Sequence, residues 1–101
     1  MKLWLDDTRS PPDEGWFWAK DVEEAKAFLL SHRCEEQSLD HDLGPGKSDG
    51  HTLIIWEHDH ALVPLFTNCH SWNRVGSERM KRFLLQHRYH AKAEADPRPP
   101  Q

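Results

Sequence analysis

At 101 residues the chain is long enough for one small domain and too short for two, with a core at the modest end of what folds unaided. Thirteen Lys and Arg stand against 17 Asp and Glu, a formal charge of -4, and the basic residues are scattered, which excludes a charge-driven clamp on duplex DNA. No apolar stretch approaches the roughly 18 residues of a membrane span, no signal peptide is visible, and Cys34 and Cys69, without Cys-x-x-Cys spacing, read as buried thiols. A soluble protein of the reducing cytoplasm is expected.

Lys2-Leu3-Trp4-Leu5 is a short apolar run that reads as a first strand, and Thr8 to Gly15, with Pro11-Pro12, must be an ordered loop. Trp16-Phe17-Trp18-Ala19 reads as a second strand, placed at an edge or antiparallel because the preceding connection is too short for a crossover helix. Asp21 with Glu24 three residues on has capping-box spacing and opens a helix to about His32 that buries Val22, Ala25, Phe28 and Leu29. Gln37-Ser38-Leu39 is the weakest strand, with little apolar content of its own. A turn-rich loop from Gly44 to Gly50 leads to a helix to about His60, burying Leu53, Ile54 and Trp56. Val63 to Cys69 is the fourth strand. Asn73 then caps a last helix with Val75, Met80, Phe83 and Leu84 on its apolar face, ending near Arg88. The expected architecture is a single α/β domain over residues 1–90, a mostly parallel four-stranded sheet flanked by helices. Residues 91–101, charged and proline-rich, are expected to form a disordered or interacting tail.

Three polar clusters, Asp6-Asp7-Thr8-Arg9, Asp40-His41-Asp42 and His70-Ser71-Trp72-Asn73, each follow a strand. In an open parallel sheet the strands' carboxyl ends share one crevice, so these clusters converge. Asp6, Asp7, Asp40 and Asp42 offer the hard oxygen ligands that magnesium or manganese prefers. Which of them ligate stays open, since Asp40 and Asp42 share a face and His41 points to the other. His41 is either an acid/base or ligand at the site or a hydrogen-bonded structural imidazole, and His70 is the better candidate for moving a proton. Ser71 can bind a phosphate oxygen or act as a nucleophile. Asn73 has a cap role and, with Gly76 allowing close approach, an anion-binding one. Arg9 either contacts phosphate or pairs with Asp6 or Asp7. Trp72 is a stacking surface for a nucleobase, or a core or lid residue. The remaining histidines form no ligand constellation beyond the loose His58-Asp59-His60.

The ordered combination of Leu5-Asp6-Asp7-Thr8-Arg9-Ser10-Pro11-Pro12, Leu39-Asp40-His41-Asp42-Leu43-Gly44, Gly50, and His70-Ser71 with Asn73, Gly76 and Met80 resembles the cyclic-phosphate-processing receiver-like family over about residues 3–85. The resemblance implies a flavodoxin-like sheet and an acidic magnesium pocket at Asp6, Asp7, Asp40 and Asp42, with Arg9 as the loop arginine and His41, His70, Ser71 and Asn73 as the remaining polar motif. Trp72 stands where a smaller or aliphatic residue is expected. No fifth strand ending in lysine is visible, so a phosphoaspartate switch is not expected. The leading functional expectation is a metal-dependent phosphoesterase opening a cyclic phosphate in a nucleotide or at an RNA 2′,3′-cyclic end. The second is a non-catalytic sponge for a cyclic nucleotide-derived signal, as small phage counter-defence proteins are, and a third is a degenerate receiver serving as an interaction surface. Oligomers are compatible with all three.

Overall fold

The aromatic and apolar runs form short strands, β1 (Lys2–Leu5), β2 (Trp16–Ala19), β3 (Glu36–Leu39) and β4 (Phe66–Cys69), joined by a fifth, β5 (His90–Lys92). Helices α1 (Val22–Ser31), α2 (Gly50–Asp59) and α3 (Arg74–Gln86) precede β3, β4 and β5 respectively. This is a computed structural model, and it describes residues 1–98. All strands are parallel in the order β2-β1-β3-β4-β5, with Leu3 opposite both Phe17 and Gln37, and Leu39 opposite Cys69. Each helix starts on a side-chain cap: Asp21 accepts from Glu24 N, Asp49 from Thr52 N and Asn73 from Gly76 N. No helix among the described residues is long and apolar enough to cross a membrane.

Strand periodicity divides the sheet into two unlike faces. Leu3, Leu5, Leu39 and Cys69 join Val22, Ala25, Phe28 and Leu29 of α1, Leu53 and Ile54 of α2, and Met80 and Leu84 of α3 in one core. Three expected core positions differ, one of them Phe83, which is only partly buried and packs against the core from outside. Val75 is 69% exposed on the first turn of α3, and Trp56 only packs against the core from its edge, because Glu57 takes the inward position on α2. Gln37 Nε2 donates to Glu57 Oε1 at 2.8 Å and to Thr67 Oγ1 at 3.0 Å. Burial pushes the Glu57 carboxyl up to about 8. Thus β3 looks weakly apolar in sequence because it carries the buried polar contact to α2.

The other face bears Trp4, Ser38 and Asn68 and is covered by chain without regular structure. Residues 6–15 connect β1 to the parallel β2 without a helix, held by Trp4 Nε1 on Arg9 O (2.8 Å) and Trp18 Nε1 on Asp6 O (2.7 Å). From the other end, Arg98 reaches Ser10 O with Nη2 (2.6 Å) and lies 5.6 Å from the centroid of the Trp4 ring.

Among the described residues the sheet therefore has five strands, not four, and the second strand is both parallel and at an edge. The strand β5 escapes sequence reading because it is short, polar and exposed at both ends. It does end in a lysine, but Lys92 Nζ is exposed and paired with Glu94 at 3.3 Å. The expected tail is also part of the fold as far as residue 98: Glu94 N donates to Asn68 Oδ1, and Asp96 is 8% exposed. Residues 99–101 of that tail lie outside the described ones.

Candidate functional site

The hydrogen-bond ladder runs on past the carboxyl ends of the strands: Asp6 N donates to Ala19 O, Asp40 N to Leu5 O, His70 N to Leu39 O and Asp96 N to His70 O. Side chains at the ends of β1, β3 and β4 are thereby fixed in one row. Asp6, Asp7 and Asp40 each place a carboxylate oxygen within 4.8 Å of the others, the one such group of three among the described residues.

Each acid is held differently. Asp6, fully buried, uses Oδ1 to accept from the amides of Thr8 (2.9 Å) and Arg9 (2.8 Å), a turn that aims the loop, and Oδ2 to accept from His70 Nε2 at 2.9 Å. Burial alone would raise its pKa, but the hydrogen bonds from His70 and the two amides win and hold it below the ordinary value. Asp40 goes the other way. Burial raises it, the charge of Asp6 raises it further, and the Ser71 hydroxyl only partly offsets them. Three carboxylates of which one resists ionisation form a donor set deficient in positive charge, and their oxygens suit a hard divalent cation such as magnesium or manganese.

The nearest guanidinium does not fill that deficit. Arg9 is 6% exposed, its Nη1 stops 3.9 Å from Asp6 Oδ2, and neither Nε nor Nη1 has a hydrogen-bond partner among the described residues. Such buried, unsatisfied donors cost stability. The guanidinium is held from its face instead, 4.7 Å from the centroid of the Trp72 ring.

His70 lies behind the acids. Its ring is 1% exposed and stacks flat on Trp4 at 4.0 Å between centroids. Nε2 meets Asp6, and Nδ1 meets Ser38 Oγ at 2.8 Å. Asn68 Nδ2 approaches Ser38 Oγ at 3.4 Å, and Asn68 is itself clamped to the backbone of Glu94. In the neutral ring Ser38 donates to Nδ1 and Nε2–H donates to Asp6, a relay that fixes the tautomer. Both nitrogens are engaged, so His70 orients Asp6 and has none left for a bound molecule. Ser38 and Asn68 escaped sequence reading. The available signal was their place two residues before Asp40 and His70, which period-two strands put on the same face.

The other expected site residues form a separate cluster. His41 Nδ1 lies 2.7 Å from Asp42 Oδ1 and Nε2 lies 3.5 Å from Asp49 Oδ2, while Asn73 Nδ2 donates to both Asp42 oxygens at 3.2 and 3.1 Å. Asn73 Oδ1 caps α3 through Gly76 N. Asp42, expected among the metal ligands, is therefore outside the three-acid group, and Asn73 and the Gly76 amide are already paired. The imidazole joins the starts of α2 and α3. A Cβ at Gly76 would lie 2.5 Å from His41 Cγ, and one at Gly50 would lie 2.2 Å from Asp40 O. Gly76→Ala is thus expected to destabilise the domain by about 1–3 kcal/mol through overpacking, outweighing the roughly 1 kcal/mol that alanine gains over glycine within a helix. Urea denaturation checks this, and a stabilised variant would refute the close packing.

A parallel sheet in this strand order, with acids at the ends of its first and third strands, defines a receiver-like α/β domain. The family model described as the cyclic-phosphate processing Receiver domain matches residues 1–86, and the chain belongs to that family. No curated protein and no solved structure matches the chain. The matched region holds every residue of the acid site, whereas β5 and the segment that clamps Asn68 lie beyond it.

Proposed function

We propose that the protein is a metal-dependent phosphoesterase acting on cyclic phosphates of nucleotides or RNA ends. The observation that carries this reading is the pairing of three convergent carboxylates with a buried arginine whose Nε and Nη1 have no hydrogen-bond partner among the described residues. Cation and anion requirements then meet in one place. Asp6, Asp7 and Asp40 would hold magnesium or manganese, which supplies charge neutralisation at the phosphoryl group and a more acidic bound water. Arg9 donates its free N–H groups to a phosphate oxygen, an interaction strengthened by exclusion from water. Ser71, whose Oγ accepts from Asn73 N at 3.1 Å, keeps its O–H to donate to a phosphate oxygen. Because Asp40 holds its proton more tightly than an ordinary carboxyl group, proton and cation compete for it, and metal affinity falls as pH is lowered.

A binding-only role for the same ligand is favoured by one observation. Among the described residues both ring nitrogens of each histidine are already engaged, those of His70 by Asp6 and Ser38 and those of His41 by Asp42 and Asp49, so neither ring has one left for a bound molecule. Incubation with 2′,3′-cyclic mononucleotides, cyclic-ended RNA and cyclic oligonucleotides, with magnesium, manganese or chelator, separates the two by mass spectrometry. Metal-dependent product beyond one equivalent supports the phosphoesterase; a depleted ligand that returns unchanged on heating establishes sequestration. No response to any cyclic phosphate removes both.

A further inference from the structure

Beside the acid site, at the carboxyl ends of β4 and β5, lies a cavity of about 480 Å³ between the first turn of α3 and the segment after β5. Its volume falls in the range of roughly 300–1,000 Å³ typical of small-molecule sites. Small side chains make the space: Cys69 and Ser77, both buried, and Ala93 and Ala95 on the opposite wall. One large ring faces it. Trp72 is 53% exposed, yet it is pinned at two points, by Nε1 donating to Asp96 O at 2.5 Å and by the Arg9 guanidinium beside its ring. An exposed indole held this way costs little further ordering on contact with a ligand. The mouth is polar at Arg74 and Glu78, one turn apart on α3.

Two residues tie this cavity to the acids: Ser71 lines it and directly follows His70, whose Nε2 bonds Asp6, and Trp72 lines it and lies against the Arg9 guanidinium, 3.9 Å from Asp6 Oδ2. A ligand anchored by phosphate at the acids therefore extends next into the cavity. We propose that the cavity takes the base of a nucleotide, stacked on Trp72, with Arg74 and Glu78 offering one donor and one acceptor group to the base edge. This rests on the cyclic-phosphate reading above and adds to it the nucleoside as the recognised part.

The test compares the affinity of 2′,3′-cyclic AMP with that of methyl riboside 2,3-cyclic phosphate, which has the same ring phosphate and no base, in magnesium. Stacking predicts a preference for the nucleotide of about tenfold. Trp72→Ala abolishes that preference, and so does Ala95→Trp, a bulky substitution at an exposed residue of the cavity wall. Equal affinities in the wild type, or an undiminished preference in Ala95→Trp, overturn the proposal. If neither cyclic phosphate binds, the phosphate reading falls separately, and adenosine decides this one: a shifted Trp72 indole N–H resonance on titration keeps the base site, and an unmoved one removes it.

Discussion

Replacing Asp40 by Asn is expected to abolish turnover of a cyclic phosphate while the domain stays folded. Loss of one of the three carboxylates removes charge needed to hold the cation, and the rate falls by about 100-fold or more, equivalent to roughly 3 kcal/mol. Folding survives because asparagine keeps the shape of the side chain, and because the charged form of Asp40 is disfavoured by its burial and by Asp6. Magnesium gives the independent readout. Saturating metal stabilises the wild type by mass action, about 2.7 kcal/mol at a hundred times its dissociation constant, and this rise in Tm disappears in the variant. Undiminished turnover together with an unchanged magnesium-dependent Tm would sink the three-acid assignment. Asp42→Asn is the matched control. Since Asp42 serves the His41 cluster, the metal-dependent Tm rise persists in that variant.

Glu57→Gln should stabilise the protein increasingly as pH rises. The Glu57 carboxyl is moved from 4.5 to about 8 by burial, so the folded state binds a proton that the unfolded state has released. A raised carboxyl contributes its full stability below about pH 4.5 and loses it progressively up to about pH 8, the opposite of a salt-bridged acid. The loss is roughly 3 kcal/mol between pH 4.5 and pH 7. Glutamine avoids it. Its carbonyl still accepts from Gln37 Nε2, and its amide gives a donor to Gln37 Oε1, which has no partner among the described residues. Denaturation curves of the two proteins should coincide at acid pH and diverge above it. Parallel pH profiles would mean that Glu57 is not a buried neutral acid.

The acid site was legible because its residues sit at strand ends, where chain topology brings them together whatever the intervening loops do. The architecture was legible for the same reason, as apolar runs alternate with capped helical stripes. What escaped reading was polar and inside the fold. Gln37 and Ser38 look like surface residues until Glu57 and His70 are seen to meet them from either side of the sheet. Asp40 and Asp42, two residues apart on one extended face, were grouped by strand geometry, but β3 ends at Leu39 and the chain turns at His41. His70 was read as a reactive group because histidine beside serine invites it; burial and two hydrogen bonds make it a support for Asp6. Residues 91–98 look like a tail in the sequence, since edge strands and loop covers carry no apolar period.

Three of the five tryptophans touch the loop that carries Asp6 and Arg9: Trp4 through Arg9 O, Trp18 through Asp6 O, and Trp72 against the Arg9 guanidinium. Trp4 is also stacked on His70, the ring that orients Asp6. The protein consequently carries its own fluorophores at the centre that a cation or phosphate would occupy. Loading of that centre should alter intrinsic emission without any label, so that equilibrium occupancy and, by stopped flow, the order in which metal and phosphate arrive can be followed in unmodified protein.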